Sequence, residues 1–225
     1  AYESAYSRLL TAAGIENAET RDTYDGHTWN AMKLDGEWYQ VDCTWDDSKD
    51  HWYNFDQTRL YFGLTDELMA IAHPGHAKIY TGSGYGTRST SLEDNYFVRS
   101  GDAQTWAEAY VERIQENLND GNTEFTVAAD NASYPPSISG IQNGIIAYML
   151  NQMDWSVDGE KVSLQTTGSA AEFTFTAARN GSVIGDKFYG YTLNLNGTIA
   201  INMYMNLPDE VAANQDSYME FTLPD

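Results

Sequence analysis

The chain has 225 residues, with 33 acidic against 12 basic side chains and a formal net charge of −21. Nucleic acids and anionic membranes are bound through clustered lysine and arginine, so this composition argues against both as partners. No apolar run approaches the roughly 20 residues of a membrane-spanning helix, and membrane insertion is not expected. A single cysteine excludes an internal disulfide framework and a multi-cysteine zinc site.

The first predicted element is a helix over residues 1–13. Its apolar face holds Tyr2, Ala5, Tyr6, Leu9 and Leu10, and Gly14 ends it. A natural chain rarely begins inside a helix, so we expect further sequence upstream of Ala1 in the parent protein.

A β-hairpin is predicted next, from strands over 27–34 and 37–45 that alternate around Asp35-Gly36, a strong two-residue turn signal. If Leu34 lies opposite Glu37, His27 falls opposite Thr44 and Trp29 opposite Asp42. His27, Trp29 and Asp42 then share one face of the hairpin. Diagonal neighbours lie about 7–8 Å apart, so the His27 imidazole and the Asp42 carboxylate are predicted to meet.

The opposite face of the same hairpin is mostly apolar and is predicted to be core. It holds Asn30, Met32, Leu34, Tyr39, Val41 and Cys43. Cys43 adjoins Asp42 in sequence but points away from His27. A free cysteine is commonly a small buried hydrophobe, so we assign Cys43 a structural role.

Further elements follow in chain order. A strand is predicted near 61–64, and Thr65 caps a short helix that His73-Pro74-Gly75 ends. Residues 81–91 are predicted to form a loop and 96–98 a strand. One helix is predicted over 103–119, followed by a strand over 123–129, a helix over 138–153, and strands over 161–166 and 171–177. From Tyr191 onward, short strands joined by Asn196-Gly197 indicate a β-rich segment.

His73 and His76 are spaced three residues apart across Pro-Gly, which raises the question of a metal site. No further ligand set is visible beside them in the sequence, and no acidic cluster suggests calcium. We therefore predict no metal and no cofactor.

The segment HTWNAMKLDGEWYQVDCTWDD (27–47) resembles the His and Asp motifs of the transglutaminase-like (papain-like cysteine protease related) superfamily. The downstream segments 61–73 and 95–101 resemble those that close this domain. The resemblance implies an α+β fold with a transglutaminase-like core, a helix plus an antiparallel sheet, over 1–101. A small α/β region over 102–180 and a β-rich segment over 181–225 would follow. The last segment loosely resembles modules of Gram-positive surface proteins.

The resemblance also implies a Cys–His–Asp mechanism with His27 and Asp42 as catalytic residues and Trp29 beside them. The family's nucleophile would fall two residues before Ala1, outside this chain. The implied function is a secreted or cell-wall-associated cysteine peptidase or amidase acting on protein, peptide or cell-wall amides. Transfer to an amine instead of water stays open. The alternative is a catalytically inactive module used for binding or as a scaffold.

Overall fold

A computed structural model describes residues 1–22, 26–47, 58–73 and 89–179, together with the backbone of 80–81, 188–194 and 200–205. Within these residues the chain forms a mixed α+β fold with seven helices and three antiparallel sheets of five, four and two strands. The α+β class predicted from the sequence is confirmed. Within the same residues, the helices are too short or too polar to cross a membrane.

The five-stranded sheet carries the predicted hairpin. Its strands are β1 (Asn17–Arg21), β2 (Thr28–Leu34), β3 (Glu37–Val41), β4 (Phe62–Leu64) and β5 (Tyr80–Thr81), in the order β4-β3-β2-β1-β5. Asp35 and Gly36 have φ angles of 48° and 92°, as a type I′ turn requires. The register runs from Leu34 opposite Glu37 to Asn30 opposite Val41, which confirms the predicted pairing over this range.

Helix α1 (Tyr2–Ala12) lies against this sheet and ends at Gly14, whose φ is 76°. Leu10 is buried against Met32, Tyr39 and Val41, and these four residues form what we call the hairpin cluster. Leu9, which we predicted on the apolar face, is 66% exposed. Leu9 and Leu10 point about 100° apart around the helix axis, so one sheet does not cover both.

Three short helices follow: α2 (Cys43–Asp47), α3 (Asp66–Ala72) and α4 (Tyr96–Ser100). The side chain of Thr65 caps α3 by accepting from the Leu68 amide, as predicted. Two strand predictions are wrong, because residues 43–45 lie in α2 and residues 96–98 lie in α4. Asn95 starts α4 by accepting from the Phe97 amide, and its amide group donates to the Phe62 carbonyl.

The remaining described chain adds three helices and six strands. Its elements are α5 (Asp102–Glu108), α6 (Val111–Asn119), β6 (Glu124–Ala128), α7 (Pro136–Gln152), β7 (Trp155–Val157), β8 (Glu160–Gly168) and β9 (Glu172–Arg179), with β10 (Phe188–Asn194) and β11 (Ala200–Met205) beyond them. The single helix predicted over 103–119 is two, interrupted at Tyr110, which is buried and accepts from the Asp130 amide through its hydroxyl. Strand β7 was not predicted.

Some predictions fall outside the described residues. They concern the Pro74-Gly75 helix end, most of the 81–91 loop, the Asn196-Gly197 turn, and His76. Thr81, the first residue of the predicted loop, lies in β5.

Helix α7 contributes to two hydrophobic clusters. Ile138, Ile141 and Ile145 pack in the central cluster, whose other buried members are Trp29, Leu60, Tyr61, Leu64, Leu68, Met69, Ala72, Leu92, Phe97 and Ala103. Ile146, Ala147 and Leu150 pack in a C-terminal cluster with residues of α6 and β6–β9. The central cluster thus joins residues from both sides of the 101/102 boundary predicted from the sequence.

Candidate active site

His27 and Asp42 are brought together where the two hairpin strands end, opposite the Asp35-Gly36 turn. His27 directly precedes β2 and Asp42 directly follows β3. The His27 Nε2 and Asp42 Oδ2 atoms are 2.6 Å apart, within hydrogen-bond distance. The predicted contact between these side chains is therefore present.

The strand pairing next to this contact differs from the prediction in one respect. β3 ends at Val41 and the chain turns into α2, so Thr44 does not pair with His27 nor Asp42 with Trp29. On the opposite edge of β2 from β3, Trp29 pairs with Thr20 of β1. The imidazole and the carboxylate meet because both lie at the same end of a correctly registered hairpin.

The Asp42 carboxylate is fully buried, and both of its oxygens have partners. Oδ1 accepts from the backbone amides of Thr44 (2.9 Å) and Trp45 (3.2 Å), as at a helix N-terminus. Oδ2 faces the imidazoles. Burial on its own raises the pKa of Asp42, but the neighbouring imidazoles of His73 and His27 outweigh that effect, so the pKa lies below its ordinary value. Asp42 is therefore a carboxylate at neutral pH.

His73 is a second imidazole at this carboxylate. It follows α3 directly, is buried, and has its Nε2 3.6 Å from Asp42 Oδ2. Its ring stacks on Trp29 with centroids 4.2 Å apart and planes 3° from parallel. From the sequence we considered His73 only together with His76. The local pattern around it gave no sign of Asp42, because the pairing of β4 with β3 is what carries α3 to this place.

Tryptophans enclose the two imidazoles. The ring centroids of Trp29 and Trp45 lie 5.6 and 5.8 Å from that of His27. Trp29 is 1% exposed, and its indole N–H donates to Gln40 Oε1 at 2.8 Å. Gln40 in turn donates to Asp66, which ties the site to the start of α3. The His27 side chain is 19% exposed, so the site opens to solvent at His27.

Cys43 lies on the other side of the hairpin, as predicted. It packs against the hairpin cluster beside Tyr6. Burial, followed by the negative charges of Asp46 and Asp42, raises the pKa of its thiol to about 12. A thiol with this pKa is almost entirely protonated at neutral pH and is a poor nucleophile.

The start of α1 contacts the elements that carry the histidine–aspartate pair. The carbonyl of Glu3 accepts from the side chain of Asn30 at 3.3 Å, three residues beyond His27. The Tyr2 hydroxyl donates to Asp47 at the end of α2. The first residues of the chain therefore contact β2 and α2, the elements that adjoin His27 and Asp42 in sequence.

No protein-family model matches the chain, and a search of curated proteins finds no match either.

Proposed function

We propose that the parent protein is a secreted or cell-wall-associated, transglutaminase-like cysteine peptidase or amidase. His27 is its general base, Asp42 orients His27, and the nucleophilic cysteine lies upstream of Ala1. The observation that carries the proposal is the 2.6 Å contact between His27 Nε2 and the buried, backbone-anchored Asp42 carboxylate. A base with an orienting carboxylate is two-thirds of a cysteine-protease triad.

The proposed reaction follows from these roles. Asp42 engages His27 Nε2, so His27 Nδ1 accepts the thiol proton. The thiolate attacks the amide carbonyl carbon, the C–N bond breaks, and the imidazolium gives its proton to the departing amine. Water attacks the resulting thioester with His27 again as base, which releases the acid and restores the thiol. Trp29 forms one wall of the site and shields the pair from solvent.

The environment of Cys43 supports a nucleophile elsewhere in the parent protein. Its raised pKa and its place in the hairpin cluster both argue against thiolate formation. The start of α1, by contrast, lies beside the elements that hold His27 and Asp42. A cysteine just before α1 would also gain from the positive end of the helix dipole, which favours the thiolate.

The test is activity of the parent protein on peptide and cell-wall amides, measured as released amine. Asp42→Asn should reduce kcat/KM by roughly 10³- to 10⁴-fold, because it loses the charge that stabilises imidazolium. Cys43→Ser is the matched control and should keep activity. Equal activity of Asp42→Asn and the unsubstituted protein would contradict the proposal.

A labelling experiment tests the nucleophile directly. At neutral pH, iodoacetamide should modify a cysteine two residues before Ala1 in the folded parent protein, while Cys43 should react only after denaturation. Peptide mass spectrometry locates the label. Another residue type at that upstream position would refute the triad and favour a non-catalytic binding or scaffold module.

A further inference from the structure

His27, Asp42 and His73 converge as two imidazoles and one carboxylate, a donor set that the sequence alone did not bring together. Their ligand atoms all lie within 4.8 Å of one another. We propose that these three side chains bind one divalent transition-metal ion of the zinc class. Metal binding there displaces the proton shared by His27 and Asp42 and so excludes the proposed proton relay.

The spacing of the donors suits a tetrahedral ion. Zinc bonds of about 2.0–2.1 Å to nitrogen and oxygen place neighbouring tetrahedral ligands about 3.3 Å apart. The two imidazole Nε2 atoms lie 2.6 and 3.6 Å from Asp42 Oδ2, on either side of that value. The third separation, between the two imidazole nitrogens, is within 4.8 Å, so side-chain shifts of about 1 Å would bring all three atoms to tetrahedral spacing.

The identity of the donors selects the class of ion. Calcium and magnesium need mainly oxygen ligands, whereas imidazole favours zinc, copper, nickel and cobalt. Two histidines and one carboxylate also match a zinc site with three protein ligands and one open position. The partly exposed side of His27 is where that position would meet solvent.

The groups around the ligands hold them as the outer contacts of metal sites do. Backbone amides of Thr44 and Trp45 fix Asp42 Oδ1 and leave Oδ2 directed at the imidazoles. The parallel stack on Trp29 fixes the plane of His73. The tryptophan walls lower the local dielectric and strengthen binding of a cation to the carboxylate.

The test uses this chain without a histidine tag, titrated with Co²⁺ as a visible reporter and then with Zn²⁺. We expect one Co²⁺ per chain, visible d–d absorption of a low-coordinate ion, and loss of that absorption as Zn²⁺ replaces it. Binding should weaken as pH falls, because the metal competes with protons for the imidazoles.

Variants identify the ligands. His73→Phe retains an aromatic ring against Trp29 but offers no donor, and His27→Gln and Asp42→Asn remove the other two ligands. Each should weaken Co²⁺ binding by more than the roughly 10- to 100-fold that loss of an outer contact costs. Cys43→Ser and His76→Ala should bind as the unsubstituted chain does. Far-ultraviolet circular dichroism and thermal unfolding confirm that each variant is folded.

No absorption band in excess Co²⁺ would overturn the proposal, as would unchanged binding by His73→Phe or loss of binding in His76→Ala. The measurement needs no nucleophile, so its result is independent of the amidase assay. A chain that binds no metal can belong to an active enzyme, and an inactive parent protein can still bind zinc.

Discussion

Asp42 and Asp46 lie four residues apart, yet their surroundings move their carboxyl pKa values in opposite directions. Burial raises the pKa of Asp46 to about 7, although the Tyr61 amide donates to it at 2.9 Å. Asp42 is fully buried, which by itself raises its pKa, but the neighbouring imidazoles of His73 and His27 lower that pKa below the ordinary value. The imidazoles therefore keep Asp42 ionised at neutral pH, whereas Asp46, whose pKa is shifted mainly by burial, titrates in that range.

Asp46 gives a prediction for the pH dependence of stability. Its ordinary pKa of 3.8 rises to about 7 in the folded chain, so the folded state holds this proton more tightly. The associated stability is present at acid pH and is lost as pH rises from about 4 to about 7. Asp46→Asn cannot ionise and keeps an oxygen acceptor for the Tyr61 amide. The free energy of unfolding of this variant should therefore not fall between about pH 4 and pH 7 as that of the unsubstituted chain does.

Urea unfolding at pH 5 and pH 8 measures the difference. The free energy of unfolding of Asp46→Asn, taken relative to that of the unsubstituted chain, should be higher at pH 8 than at pH 5. Asp154→Asn is the control, because the Asp154 side chain is 98% exposed, and it should leave the pH profile unchanged. Parallel profiles for Asp46→Asn and the unsubstituted chain would show that Asp46 ionises at its ordinary pKa.

At the scale of residues, the contact between His27 and Asp42 could be predicted because one two-residue turn fixes the pairing of both strands. Cys43 does pack on the predicted side, against the hairpin cluster, but it does so from α2 rather than from an extended β3. His73 could not be placed, since its approach to Asp42 depends on β4 pairing with β3 and on the packing of α3. Those are contacts between segments distant in sequence, for which the local pattern carries no signal.

At the scale of elements, α7 positions the helix that leads into His73. A methyl group added at Gly144 would lie 2.3 Å from Leu68 Cδ2, and one at Gly140 would lie 3.0 Å from Ile71 Cγ2. The two glycines are one turn apart on α7 and face two side chains of α3. Their missing side chains let α3 approach α7 closely, and α3 ends one residue before His73.

Gly144→Ala should destabilise the protein although alanine is the better helix former. The propensity gain is about 1 kcal/mol, whereas overpacking a filled core costs about 1–3 kcal/mol. Leu68→Ala should cost about 2–5 kcal/mol alone but provides space for the added methyl group. The double variant should therefore be more stable than the sum of the single effects predicts. Strict additivity in urea unfolding would show that Leu68 is not what opposes the methyl group.

Predictions of elements succeeded where a long pattern or a turn specified them and failed in short segments. Residues 136–152 form a helix close to the predicted 138–153, because apolar residues that recur at helical spacing over this length have few alternatives. Residues 96–98 are aromatic and β-branched, as in a strand, but they form a turn of helix, since Asn95 caps them while bonding to the distant Phe62 carbonyl. Tertiary contacts overrode the local preference there.

At the scale of the whole molecule, the central cluster depends on α7. Ile138, Ile141 and Ile145 pack in this cluster together with residues from the first 101 positions, and Trp29 of the candidate site belongs to the same cluster. Without α7 these apolar side chains would face water, at about 1.5–3 kcal/mol for each large residue. The candidate site is therefore supported by residues outside the segment that resembles the transglutaminase-like family.

A fragment of residues 1–101 should consequently fail to fold cooperatively. We expect weak near-ultraviolet circular dichroism, binding of a hydrophobic dye and no sharp urea transition. A chain of residues 1–179 keeps both clusters and is the matched control, which should unfold in one transition by fluorescence and circular dichroism alike. A cooperative transition in the shorter fragment would show that residues 1–101 fold independently.

The Asp35-Gly36 turn has a chemical consequence for ageing of the protein. The Asp35 side chain is 82% exposed, and the following glycine leaves its own backbone nitrogen unhindered for attack on the side-chain carboxyl. Asp-Gly sequences isomerise in this way through a succinimide to isoaspartate, which lengthens the backbone by one carbon. A two-residue turn cannot absorb that extra atom without disturbing the strand register, and the register holds His27 against Asp42. Prolonged storage would therefore damage the candidate site from the opposite end of the hairpin.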